Sequence, residues 1–102
     1  MTYNQRLKAT QDTRQAVEGL QKEGDRLRVR YKGTSYVIKC YSNNDKYGSY
    51  LSIRKDKGLF SDSMNIDSDK STKEYLYLYS YDMMGSRTIY KMRFIDMKRE
   101  EE

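Results

Sequence analysis

Glu74-Tyr75-Leu76-Tyr77-Leu78-Tyr79-Ser80-Tyr81 alternates without a break. In an extended chain successive side chains point to opposite faces, so Tyr75, Tyr77, Tyr79 and Tyr81 share one face while Leu76 and Leu78 share the other. This is the pattern of a half-buried strand, with leucines turned to a core and four phenols turned away from it.

Downstream of this strand, Asp82-Met83-Met84-Gly85-Ser86 reads as a turn into a last strand over 87–97. There Tyr90, Met92 and Phe94 share one face, and Ile89, Lys91, Arg93 and Ile95 the other. The end, Lys98-Arg99-Glu100-Glu101-Glu102, is expected to be a flexible charged tail. Upstream, residues 59–72 are rich in Ser and Asp and lack a sustained period, so they read as a long loop with at most a brief strand around Met64 to Ile66. Before that lies a strand over 49–55, with Leu51 and Ile53 on one face and Tyr50, Ser52 and Arg54 on the other. Asp56-Lys57-Gly58 closes it as a turn, and the polar loop Ser42-Asn43-Asn44-Asp45-Lys46 leads into it.

Further back, Tyr36 to Tyr41 is apolar on both faces, which suits an interior strand. Lys32-Gly33-Thr34-Ser35 precedes it as a turn in which Gly33 supplies a positive φ. The strand over 26–31 puts Leu27, Val29 and Tyr31 on one face and Arg26, Arg28 and Arg30 on the other. Residues 3–23 read as a helix. Thr2 and Gln5 have the spacing of a capping box, and Gly24 is placed to end the helix in the left-handed conformation. Its narrow apolar stripe should touch the sheet chiefly through Leu7, Val17 and Leu20. The expected fold is thus α+β: a single domain over 1–97, with one N-terminal helix packed on one face of a roughly five-stranded, mostly antiparallel sheet.

Composition narrows the function classes. The chain has 102 residues, the size of one ordinary domain. It carries 20 Lys+Arg against 15 Asp+Glu, a net of +5, which favours polyanions or acidic partners. The excess is concentrated: residues 25–60 hold 9 basic and 3 acidic residues, while 1–24 hold 4 and 3 and 61–102 hold 7 and 9. There is no histidine and one cysteine, Cys40. That excludes an internal disulfide, a histidine-based catalytic triad and a four-thiolate zinc site. Cys40 reads as a small apolar residue of a strand. The oxygen-rich segment Asp62 to Asp69 lacks the spacing, glycine and terminal glutamate of a calcium loop, so no metal and no cofactor is expected. No apolar run approaches the ~20 residues of a membrane span and no secretory signal is visible, so no membrane partner and a cytoplasmic setting are expected.

One helix covers only one side of such a sheet. If the aliphatic faces meet it, the other face carries Arg26, Arg28, Arg30, Arg54, Lys91 and Arg93 together with Tyr75, Tyr77, Tyr79 and Tyr81. Cations that neutralise phosphates beside rings that stack on bases make a surface suited to single-stranded nucleic acid. The same ladder also has a purely structural account, since Tyr is a good strand former and Tyr–Arg or Tyr–Lys neighbours stabilise a sheet. A third account is a protein partner, because Tyr and Arg dominate interaction hot spots, and the Met83-Met84 hairpin tip would serve as a contact knob.

In size, in the absence of Pro and Trp, and in its Lys/Asn/Asp/Tyr-rich makeup, the chain resembles small phage and mobile-element proteins. These include inhibitors of host nucleases of the anti-CRISPR and anti-restriction kind, which would place it in a host cytoplasm; the resemblance matches no family motif. The expected function is non-enzymatic nucleic-acid binding. The alternative is an inhibitor that occupies the substrate site of a nucleic-acid enzyme, and homodimerisation through an edge strand is compatible with either.

Overall fold

The computed structural model describes residues 2–42, 48–58 and 63–100. The capping box forms: the Thr2 hydroxyl accepts from the Gln5 N–H at 3.2 Å and the Gln5 side chain accepts from the Thr2 N–H at 2.8 Å. It opens helix α1, Tyr3–Glu18, which ends short of the expected residue 23. Gly19, the first residue past it, stays right-handed at φ −77°, ψ −9° and donates to the Gln15 carbonyl. Beyond it the Asp25 carboxylate accepts from the N–H groups of Gln21 and Lys22 at 3.2 and 3.0 Å. This is the local side-chain competition that draws backbone out of helix. Gly24 does take positive φ, +88°, but in that turn and not as the helix cap.

The helix buries only Thr13 and Val17, with Ala16 and Leu20 packed beside them. The Thr13 hydroxyl is satisfied by the Ala9 carbonyl at 2.9 Å. Leu7, expected in the contact, is 43% exposed.

Among the described residues seven antiparallel strands follow, two more than expected: β1 (Arg26–Tyr31), β2 (Thr34–Ser42), β3 (Ser49–Lys55), β4 (Met64–Ile66), β5 (Tyr75–Tyr81), β6 (Arg87–Arg93) and β7 (Met97–Glu100). Their order in one sheet is β6-β5-β4-β3-β2-β1-β7. β1 and β2 join through Lys32 and Gly33, both at positive φ (49° and 83°), as a two-residue hairpin of the twisted type requires.

The extra strands have two origins. β4 forms at Met64–Ile66, where the sequence allowed a brief strand; at three residues it is too short to show a period. The other comes from the stretch 87–97, which is not one strand: a 3-10 turn, Phe94–Asp96, breaks it into β6 and β7. Lys98, Arg99 and Glu100, expected in a flexible tail, are therefore strand residues paired with β1. The rest of that tail lies outside the described residues, as do 43–47 of the polar loop and 59–62 of the long one.

β6 and β7 stand at opposite ends of the strand order yet are consecutive in the chain. The sheet must curl until its two ends nearly meet. The Arg93 N–H reaches the Tyr31 hydroxyl of β1 at 3.5 Å, and the Phe94 N–H donates to the Glu74 carbonyl at 2.9 Å.

Parity along the ladders assigns the faces. Leu27↔Ile38, Ile38↔Ile53 and Ile53↔Met64 run across four strands on the inner side, continued by Ile66↔Leu78 and Leu76↔Met92. Val29, Ile38, Cys40 and Ile53 have no exposed surface. Burying each such aliphatic side chain is worth about 1.5–3 kcal/mol, and this inner face with Val17, Phe94 and Met97 is the core. Among the described residues no helix is long and apolar enough to cross a membrane.

Candidate nucleic-acid interface

The outer face of the curled sheet is built from the opposite parity. On β5 it carries Tyr75, Tyr77, Tyr79 and Tyr81, which lie across from Arg93, Lys91, Ile89 and Arg87 of β6. Sheet twist brings diagonal neighbours together. The Lys91 ammonium sits 4.5 Å from the Tyr75 ring centroid, and the Arg87 guanidinium 4.2 Å from that of Tyr79. Arg87 continues past the ring to Asp67, 3.0 Å away. The rings also pack on one another: Tyr75 and Tyr77 at 6.3 Å and 57°, Tyr79 and Tyr81 edge-to-face at 5.8 Å and 79°. Three of the phenols are half-buried by these contacts, and Tyr81 is 59% exposed. Asp67, from the segment weighed as a metal loop, is engaged with Arg87 and with the Lys70 N–H.

A second aromatic cluster lies on β2 and β3. Tyr41 and Tyr50 face each other across the ladder and stack at 5.4 Å and 22°, with the Lys39 ammonium 5.6 Å from the Tyr41 ring. Arg54 is exposed on the same face of β3. Lys39, Tyr41 and Arg87 were absent from the expected site. Arg87 shares parity with Lys91 and Arg93, and Lys39 and Tyr41 share parity with Val37; the apolar look of β2 on both faces hid them.

Arg26, Arg28 and Arg30 occupy the same outer face, but β4, β3 and β2 separate them from the tyrosines. At about 4.8 Å per strand that is roughly 19 Å along the sheet. The two stripes are therefore not adjacent. Arg28 lies 2.6 Å from the Asp56 carboxylate and 3.9 Å from Glu100, and Arg30 lies 2.7 Å from Glu100. The Ser35 hydroxyl donates to Glu100 as well, at 3.1 Å. Two of the three β1 arginines expected to contact phosphate are thus held by carboxylates of the chain itself. Arg93 is drawn weakly toward Asp96, at 4.0 Å, and Asp96 also takes Arg6 at 3.6 Å.

Cys40 lies fully inside the sheet. Burial, and after it the negative charges of Asp25 and Glu23, push its thiol above the ordinary value, against a smaller opposing pull from a Ser49 hydrogen bond. That is the wrong direction for a nucleophile.

Neither a family model, nor a curated protein, nor a solved structure matches this chain. What the outer face can bind follows from its own chemistry.

Proposed function

We propose that this protein is a non-enzymatic binding protein that holds single-stranded nucleic acid on the outer face of β5 and β6, with the Tyr41–Tyr50 cluster as an extension. The observation that carries this is the pairing of rings with cations: Lys91 on Tyr75 and Arg87 on Tyr79, beside the exposed Tyr81. Phosphates would be met by Arg87, Lys91, Arg93, Lys39 and Arg54. The most accessible rings for base stacking are Tyr81 and Tyr50, since cations already cover Tyr75 and Tyr79.

The test is fluorescence anisotropy with labelled single- and double-stranded oligonucleotides at two salt concentrations. Tyr81→Ala should cost about 1–3 kcal/mol, roughly 5- to 150-fold in affinity. Lys91→Ala should lower the slope of log affinity against log salt by about 0.7. Absence of binding at low salt would refute the proposal.

One observation favours the alternative of an inhibitor of a nucleic-acid enzyme. Met83 and Met84 are 104% and 90% exposed at the tip of the β5–β6 hairpin, beside Tyr81 and the 48%-exposed Ile89. Methionines that stand free adapt to apolar pockets of a protein partner. Under that reading Met83→Ser with Met84→Ser abolishes partner capture and leaves oligonucleotide binding unchanged. A homodimer through the free edge of β6 is disfavoured by charge. Antiparallel self-pairing about Ile89 sets Arg87 against the partner's Lys91, and pairing about Tyr90 sets it against the partner's Arg93.

A further inference from the structure

The early end of α1 has a consequence on the inner side of the sheet. The chain leaves the helix at Gly19. A cleft of about 610 Å³ opens there, between the last turns of α1 and the inner face. Its floor is core: Val17, Leu51, Ile66, Leu76 and Phe94, each less than 10% exposed, with half-buried Leu20 on the wall. Interiors are close-packed, so an opening of this size over apolar side chains is a surface feature of the range that small-molecule sites occupy, about 300–1,000 Å³.

The rim is polar and its charges are unequal. Arg14 stands on the helix side and Lys73 on the side of the loop before β5, and among the described residues Glu18 is the one carboxylate on the lining. Among the described residues neither cation has an ion-pair partner. The loop that carries Lys73 is fixed by its own hydroxyls. Ser71 Oγ donates to the Asp67 carbonyl at 2.8 Å and accepts from the Tyr77 N–H at 3.1 Å, and Thr72 Oγ1 accepts from the N–H groups of Glu74 and Tyr75 at 3.2 and 3.1 Å. The rim is therefore built in place, and its cations remain available to a ligand.

We propose that this cleft is a binding site for a small amphiphilic anion: an apolar or aromatic body seated on Leu51, Ile66, Leu76 and Phe94, with one acidic group between Arg14 and Lys73. Tyr50 at its margin is shared with the outer face, but the apolar floor lies on the inner side of the sheet and the site does not depend on nucleic-acid binding.

The probe is 8-anilinonaphthalene-1-sulfonate, titrated by fluorescence into the full chain, with near-UV circular dichroism confirming a packed core. Saturable one-site binding is expected. Leu20→Trp should fill the cleft and abolish it while unfolding stays cooperative. Ser68→Phe, on the rim, should do the same should the first variant not fold. Arg14→Glu with Lys73→Glu should weaken binding roughly tenfold, the scale of two partly exposed ion pairs lost. The uncharged analogue without the sulfonate should not respond to that pair. The proposal is overturned if the dye does not bind at one site, if Leu20→Trp and Ser68→Phe leave its affinity unchanged, or if an oligonucleotide displaces it.

Discussion

β1 and β5 carry the same kind of pattern: apolar side chains alternate inward, and arginines on one or tyrosines on the other alternate outward. They lie on the same face of one sheet, yet their outward side chains are used differently. On β1, Arg28 and Arg30 are taken up by Asp56 and Glu100, which come from the turn after β3 and from β7. On β5 the tyrosines meet Arg87 and Lys91 from the neighbouring strand, and these cations rest on ring faces. A lysine resting on a ring face is held by about 0.5–1 kcal/mol and can still turn to a phosphate. A guanidinium hydrogen-bonded to a partly buried carboxylate gives up more to do so; Arg87, 3.0 Å from the Asp67 carboxylate, shares that restraint, so the contrast with β1 rests on Lys91. The difference lies in where the counter-charges are, and periodicity carries no information about that.

The largest expected effect separates the two strands by binding. Arg87→Glu with Lys91→Glu should reduce oligonucleotide affinity by about a hundredfold or more at low salt, while Arg28→Ala stays within about threefold, measured by anisotropy. Stability should show the reverse. Arg28→Ala leaves Asp56 and Glu100 facing each other's charge and should cost about 1–2 kcal/mol, several degrees of Tm in thermal unfolding; Lys91→Ala should stay within about 0.5 kcal/mol.

Glu100→Gln would blur the distinction. It releases Arg30 and partly Arg28, so affinity should rise by a few fold and the salt slope steepen by about 0.7 to 1.4, with a stability loss near 0.5–1 kcal/mol. The smallest effect concerns the inner face that both strands share. The folded state holds the Cys40 thiol above its unfolded pKa, so it binds the proton more tightly than the unfolded chain. Its contribution is complete below the unfolded value, about 8.5, and is lost as pH rises through the higher folded value. Denaturant titrations from pH 8 to about 10 should show a steeper alkaline fall for the wild type than for Cys40→Ala.

Much of this was legible because alternation survives folding. The faces of β1, β3 and β5 follow directly from parity, and the capping box at Thr2 and Gln5 forms as spaced. The break after Arg93 was hidden by the apparent continuity of Ile89, Lys91, Arg93 and Ile95. Phe94 and Met97 are both buried, although an unbroken strand would turn them to opposite faces; that mismatch was the available signal. Past the end of α1, Asp25 reaches back to Gln21 and Lys22, a local side-chain competition that helix propensity does not contain. For the site, tyrosines and cations were found as types, but the partners of Arg28 and Arg30 are distant in sequence and invisible to any window.

The three-residue turn at Phe94–Asp96 also orders the assembly of the molecule in time. Pairings from β1 through β6 join sequence neighbours and can form by successive zipping. The pairing of Tyr31 with Met97 instead closes a loop spanning most of the chain, at an entropic cost about 2–3 kcal/mol above that of a hairpin turn. That cost favours docking of β7 after the meander, and the amides of the β1–β7 ladder are expected to exchange first in a hydrogen-exchange measurement. Glu100 is delivered by that last step, so opening of the ladder should free Arg30 while Arg28 keeps Asp56.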